Sequence, residues 1–120
     1  MTTIAIKRAY DPPSPEDGFR VLVDRLWPRG LAKDKARVDF WLQDVAPSAG
    51  LRRWFGHDPA RWPEFQARYR AELADNPAVG ELQATVLKHK RVTLLFAARD
   101  TEHNHALVLQ AFCERRAGGE

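Results

Sequence analysis

The chain has 120 residues, 44% hydrophobic and 29% charged, enough for one domain with a single core and too few to require a second. No apolar run approaches the roughly 20 residues that span a bilayer, and the start, Met1 to Lys7, shows no basic leader followed by an apolar stretch, so a cytoplasmic protein without a membrane partner is expected. A net charge of +3, with lysine and arginine spread over both halves, is too small to imply nucleic acid unless the basic residues gather on one face.

In chain order, Ile4 to Arg8 reads as a first strand. Asp11 to Gly18 is a loop, because Pro12, Pro13 and Pro15 cannot continue a ladder. The Asp17-Gly18 turn signal then opens a second strand, Phe19 to Val23, rich in β-branched and aromatic residues. At Asp24 the character changes: Asp24, Arg25 and Arg29 fall within six positions, with Trp27 and Pro28 between them and Gly30 releasing the turn. Leu31 to Arg37 reads as a turn or a single helical turn, and Val38 to Gln43 as a short strand or an extended segment.

Ser48 is an expected N-cap, followed by Leu51, Trp54 and Phe55 on one helical face and by Gly56 as the stop. Asp58-Pro59 repeats the start signal, and Trp62, Phe65, Tyr69 and Leu73 mark an amphipathic helix whose first turn must accommodate Pro63. Asn76-Pro77 opens another helix, expected to carry Val79, Leu82, Val86 and Leu87 inward. Arg91 to Ala98 is apolar on both faces, the pattern of a central parallel strand. His103 to Arg116 is the last helix, with Ala106, Leu109 and the lone cysteine, Cys113, on one face, and the tail from Ala117 is expected to fray. Strands joined by helical segments imply an α/β fold: a small, mainly parallel sheet flanked by helices in a single compact domain.

Three of these strands end in polar residues: Lys7, Arg8 and Tyr10; Asp24 to Arg29; Arg99 and Asp100. Parallel strands bring these ends to one rim, where open α/β sheets bind ligands, and a helix starting near His103 would aim its amides there. Arg25, Arg29 and Arg99 are candidates to hold an anion through bidentate hydrogen bonds, and Trp27 to stack on a ring. Asn104 and His105 are candidates to orient a ligand or transfer a proton, and Asp24 to position the arginines. The plainer reading makes Arg25 a bridge to Asp24 or Asp100 and Asn104 a local cap. The expected partner is a small anion, a nucleotide or phosphorylated metabolite; the alternative is a nucleic-acid or protein-docking module using the same face.

The remaining chemistry-bearing residues point elsewhere. His103 and His105 lack the i, i+4 spacing of a helical metal pair, so no metal is expected. His57 suits a helix-end cap, and His89 sits in a basic surface run. The glycines build neither G-x-G-x-x-G nor a Walker loop, so no cofactor is expected, and Ser48 would be a nucleophile only if His57 or His105 reached it.

The segments Asp-Gly-Phe-Arg-Val-Leu-Val-Asp-Arg-Leu-Trp-Pro-Arg-Gly (17–30), Ala-Pro-Ser-Ala-Gly-Leu-Arg-Arg-Trp-Phe-Gly-His (46–57), Arg-Trp-Pro-Glu-Phe-Gln-Ala-Arg-Tyr (61–69) and Leu-Leu-Phe-Ala-Ala-Arg-Asp (94–100), with Asn104-His105-Ala106, resemble the YeaO-like family of bacterial proteins, domain of unknown function 488. The resemblance covers nearly the whole chain and implies a compact single-domain α/β fold. It implies no established reaction, substrate, cofactor or catalytic residue.

Overall fold

Hydrophobic alternation along the strands decides which side of the sheet receives the helices. The computed structural model of the protein describes residues 2–117; the fraying expected from Ala117 onward falls, past Ala117 itself, outside them. Four parallel strands, β1 (Thr3–Arg8), β2 (Phe19–Leu22), β3 (Phe40–Trp41) and β4 (Arg91–Phe96), form one sheet in the order β1-β4-β2-β3. β4 is central, as its apolar run requires, pairing Val92 with Ile4 on one side and with Phe19 on the other. The segment from Val38 to Gln43 resolves into the two-residue β3, with Val21 opposite Phe40, followed by a 3-10 turn at Gln43–Val45.

Ile4, Val21, Val23, Val92, Leu94 and Phe96 point to one face, which is covered by α2 (Ala49–Phe55), α3 (Trp62–Ala74), α4 (Ala78–Lys88) and α5 (His105–Ala117). Leu22, Leu95 and Ala9 point the other way, under Trp27, Leu31 and Val38 from the β2–β3 connection, which also contains the one-turn α1 (Lys33–Ala36), and under Trp41 of β3. Each fully buried leucine or valine contributes roughly 1.5–3 kcal/mol by leaving water. Leu87 is the exception to the expected pattern: it is 75% exposed. It follows Val86 directly, one position off the α4 face that holds Val79, Leu82 and Val86, so the helix turns it to solvent.

Local chemistry sets the helix ends. Ser48 Oγ accepts from the Leu51 amide and Gly56 adopts a left-handed conformation, φ 53°, after Phe55. Asp58 caps a 3-10 turn at Pro59–Arg61, and α3 starts at Trp62, so Pro63 lies in its first turn, where no amide is needed. Asn76 Oδ1 accepts from Ala78 N–H at the start of α4. Gly18 is required twice over: its φ is +66°, and a Cβ there would lie 2.3 Å from the Arg91 carbonyl oxygen.

The connections define where a ligand can sit. Chain leaving β2 turns toward β3, whereas chain leaving β4 enters α5, which packs back over β1 and β4. The two neighbouring central strands thus send their continuations in opposite directions, opening a crevice beyond their carboxyl ends.

Candidate functional site

The crevice is a cleft of about 770 Å³. Its walls are the segment Asp24–Arg29 after β2, Ala97, Ala98 and His103–His105 after β4, Tyr10 after β1, and Ala46, Pro47, Arg52, Phe55, His57 and Phe65 from the α2–α3 region. Phe55 and Phe65, stacked at 4.3 Å and almost wholly buried, back the cleft from the core, and the half-buried Trp27 also lines it.

The polar groups on the floor are engaged in holding the fold. Asp24 Oδ2 accepts from the Ala97 amide at 3.0 Å, tying the end of β2 to the end of β4. His105 Nε2 lies 3.1 Å from both the Val23 carbonyl oxygen and Asp24 Oδ1. Its alignment favours the carbonyl, so the buried Oδ1 has no well-directed hydrogen bond among the described residues. Asn104, buried, donates from Nδ2 to the Asp100 carbonyl and accepts the Leu107 amide on Oδ1, capping α5. Asp100 takes the Glu102 and His103 amides and the His103 ring at 2.8 Å; the Glu102 amide first, then the imidazole, hold its carboxyl below the ordinary carboxylate value.

The rim is cationic and largely uncommitted. Arg25 meets Asp44 at 3.1 Å, with both side chains exposed, a pairing of about 0–1 kcal/mol. Among the described residues the guanidinium groups of Arg29 and Arg52 have no hydrogen-bond or ion-pair partner, and the Arg29 backbone is fixed by Tyr10 Oη donating to its carbonyl at 2.7 Å. His57, at φ 57°, packs its ring against Phe55 and faces the cleft. Three guanidinium groups and an imidazole therefore surround a mouth whose one lining carboxylate, Asp24, is engaged by an amide and an imidazole.

A family model described as the inactive DUF488-N3 subclade matches residues 3–119. The chain belongs to that subclade. The uncharacterised protein YeaO of Escherichia coli is 43% identical over 106 residues, covering 88% of this chain and 92% of YeaO. An uncharacterised protein of Mycobacterium tuberculosis, Rv3073c, is 45% identical over 108 residues, 90% of this chain and 91% of its own. No solved structure matches the chain. The resemblance read from the sequence motifs is thereby shown.

In this DUF488-N3 member the expected site residues divide. Asp24, Arg25, Trp27, Arg29, Asn104 and His105 all line the cleft. Arg99 does not: it is exposed on the loop after β4, outside the lining. Asp24 meets an amide and an imidazole rather than the arginines it was expected to position, and Arg25 bridges to Asp44 rather than to Asp24 or Asp100. Trp27 donates from Nε1 to the Leu31 carbonyl at 2.7 Å and meets Trp41 edge-on, so its indole is held in place. Among the described residues the His57 ring makes no hydrogen bond to a helix-end carbonyl, and Ser48 Oγ donates to Glu72 at 2.6 Å, far from nucleophilic duty. His89, read as part of a basic surface run, stacks on Phe19 at 4.0 Å. Among the described residues no three His, Cys, Asp or Glu side chains gather to hold a metal, and no helix is long and apolar enough to cross a membrane.

Sequence reading missed Arg52, Phe55 and Phe65 as cleft residues. Phe55 and Phe65 carried only a core signal, which they also satisfy. Arg52 follows Leu51 on a short helix, and nothing in its neighbourhood says which rim that helix borders.

Proposed function

We propose that the protein binds a small phosphate-bearing ligand, a nucleotide or phosphorylated metabolite, in the strand-end cleft and does not transform it. One contrast carries this reading: on the floor Asp24 Oδ2, Asn104 and His105 Nε2 are spent on the fold, while at the rim the guanidinium groups of Arg29 and Arg52 are free to receive an anion. Arg29 and Arg52 have the planar donor array that matches phosphate oxygens, and Arg25 can leave its exposed bridge at little cost. Trp27, half-buried in the lining and fixed by its bond to the Leu31 carbonyl, suits a flat ring carried on the same ligand. General acid–base work needs a group with a free proton-accepting or donating position aimed at the ligand. Asp24 Oδ2, Asn104 and His105 Nε2 are instead joined to Ala97, to Asp100 and Leu107, and to Val23, and Asp24 Oδ1 lies against the His105 ring at 3.1 Å. The subclade's description as inactive supports binding without turnover.

The test is thermal unfolding with adenosine monophosphate and with inorganic phosphate. At about a hundredfold excess over its dissociation constant a ligand adds about 2.7 kcal/mol, which is on the order of 10 °C for a domain this size. Arg29→Ala should remove most of that shift while leaving the unliganded melting temperature within about 1–2 °C, because its guanidinium group holds nothing else. Absence of any shift in the native chain overturns the reading.

A further inference from the structure

The cleft does not exhaust the basic surface beside it. From the start of α2 at Ala49 to the end of α3 at Ala74 the chain carries five arginines, at positions 52, 53, 61, 68 and 70, against three carboxylates, Asp58, Glu64 and Glu72, a net of +2 in a protein whose whole net is +3. The even spread of lysine and arginine along the sequence therefore conceals a local excess on the α2–α3 hairpin. We infer that the nucleotide received by the cleft belongs to a single-stranded nucleic acid whose backbone continues from the cleft over this hairpin; the inference rests on the binding reading above and names its ligand class.

Continuity is the first support. Arg52 lines the cleft and Arg53 follows it on α2, with no side-chain partner among the described residues. Arg61 and Arg68 lie beyond the cleft lining, with their guanidinium carbons 5.4 and 4.3 Å from the Trp54 ring centroid. Arg61 also donates to the Trp54 carbonyl, and Arg68 to Glu64. The indole thus holds two arginines half-exposed in fixed places, which lowers the entropy lost when they meet phosphates. Arg53 has no carboxylate among the described residues, and the bridges of Arg61 to Asp58 and of Arg68 to Glu64 are half-exposed, worth about 0–1 kcal/mol, so a phosphate chain passing over the hairpin can recruit all three.

The cleft's form selects the strand type. A concave space lined by an indole accepts a base only when that base has left its stack. Unpaired strands offer such bases freely, whereas a duplex must first be opened. Acidic side chains of a peptide could match the charge but bring no flat ring to Trp27.

Fluorescence anisotropy with a labelled oligothymidylate of about twelve nucleotides tests this. It should bind at least about tenfold more tightly than thymidine monophosphate competes, with a log–log salt slope of about −2 to −3 for three or four phosphates. An Arg53→Ala/Arg68→Ala variant should lose about tenfold in oligonucleotide affinity and flatten that slope, yet keep the thermal shift given by adenosine monophosphate. Its unliganded melting curve verifies folding. Oligonucleotide affinity no better than that of the mononucleotide, with the thermal shift intact, overturns the inference and leaves the small-ligand reading standing. Equal binding of an oligoglutamate of matched charge, or of a duplex of the same length, also overturns it. Loss of the mononucleotide shift in the native chain removes both.

Discussion

Arg20 is a guanidinium group 4% exposed, and it is tolerated because every direction it faces offers an oxygen. It donates to the Ala36 and Arg37 carbonyls and pairs with Asp17, which also receives Lys7 at 3.1 Å and the Ser14 amide at 2.9 Å. These contacts fasten the proline-rich loop and α1 to the sheet face opposite the long helices. Asp17→Ala leaves the buried Arg20 without its counter-charge and should cost about 3 kcal/mol in urea unfolding. Burial pushes the Asp17 carboxyl up, but the Ser14 amide, Lys7 and Arg20 outweigh it and hold the group below its ordinary 3.8. A depressed carboxyl stabilises the fold fully above the unfolded value and loses that contribution as pH falls through the folded one. The native chain should therefore lose stability more steeply than Asp17→Ala as pH drops below about 3.8, followed by melting at a series of acid pH values. In the sequence Asp17 announced only a turn; its partners come from two other strands, so its role as a hub was not legible there.

Elements were legible where their boundaries are written in local chemistry. Ser48, Gly56, Asp58-Pro59 and Asn76 each act within four residues of themselves, and the structure places caps and stops at those positions. β3 was not decided, because two residues of strand depend on pairing with Val21 and Leu22 rather than on any pattern of their own. Leu87 misled because an apolar side chain beside a buried one reads as inward, whereas the helix period turns it out by a full step. Ser48 also binds outside its helix, accepting the Leu51 amide while its hydroxyl donates to Glu72 of α3. Ser48→Ala removes the cap and that tie together and should lower stability by about 1–2 kcal/mol by denaturant titration. Ser48→Thr should recover most of it.

At the scale of the molecule, a four-strand sheet with β4 inserted between β1 and β2 separates the chain leaving β2 from the chain leaving β4, and Asp24 is the side chain that spans the gap. The sequence located the cleft's two strand-end walls, since charged residues follow apolar strands at Asp24–Arg29 and at Ala97–His105. It could not locate the third wall. Arg52, His57 and Phe65 reach the cleft only because the long return from β3 to β4 lays α2 and α3 beside it, a consequence of global topology. Asp24 then decides between a clamp and a chemical group. Asp24→Ala leaves the Ala97 amide without its acceptor, a loss of about 1–3 kcal/mol and several degrees in melting temperature. It also removes the one carboxylate beneath the cationic rim. As a clamp, Asp24 opposes an anion by charge, so the variant's thermal shift with adenosine monophosphate should match or exceed that of the native chain. A variant that folds yet shows no shift would make Asp24 Oδ1, buried and without a well-directed hydrogen bond, a direct acceptor for the ligand.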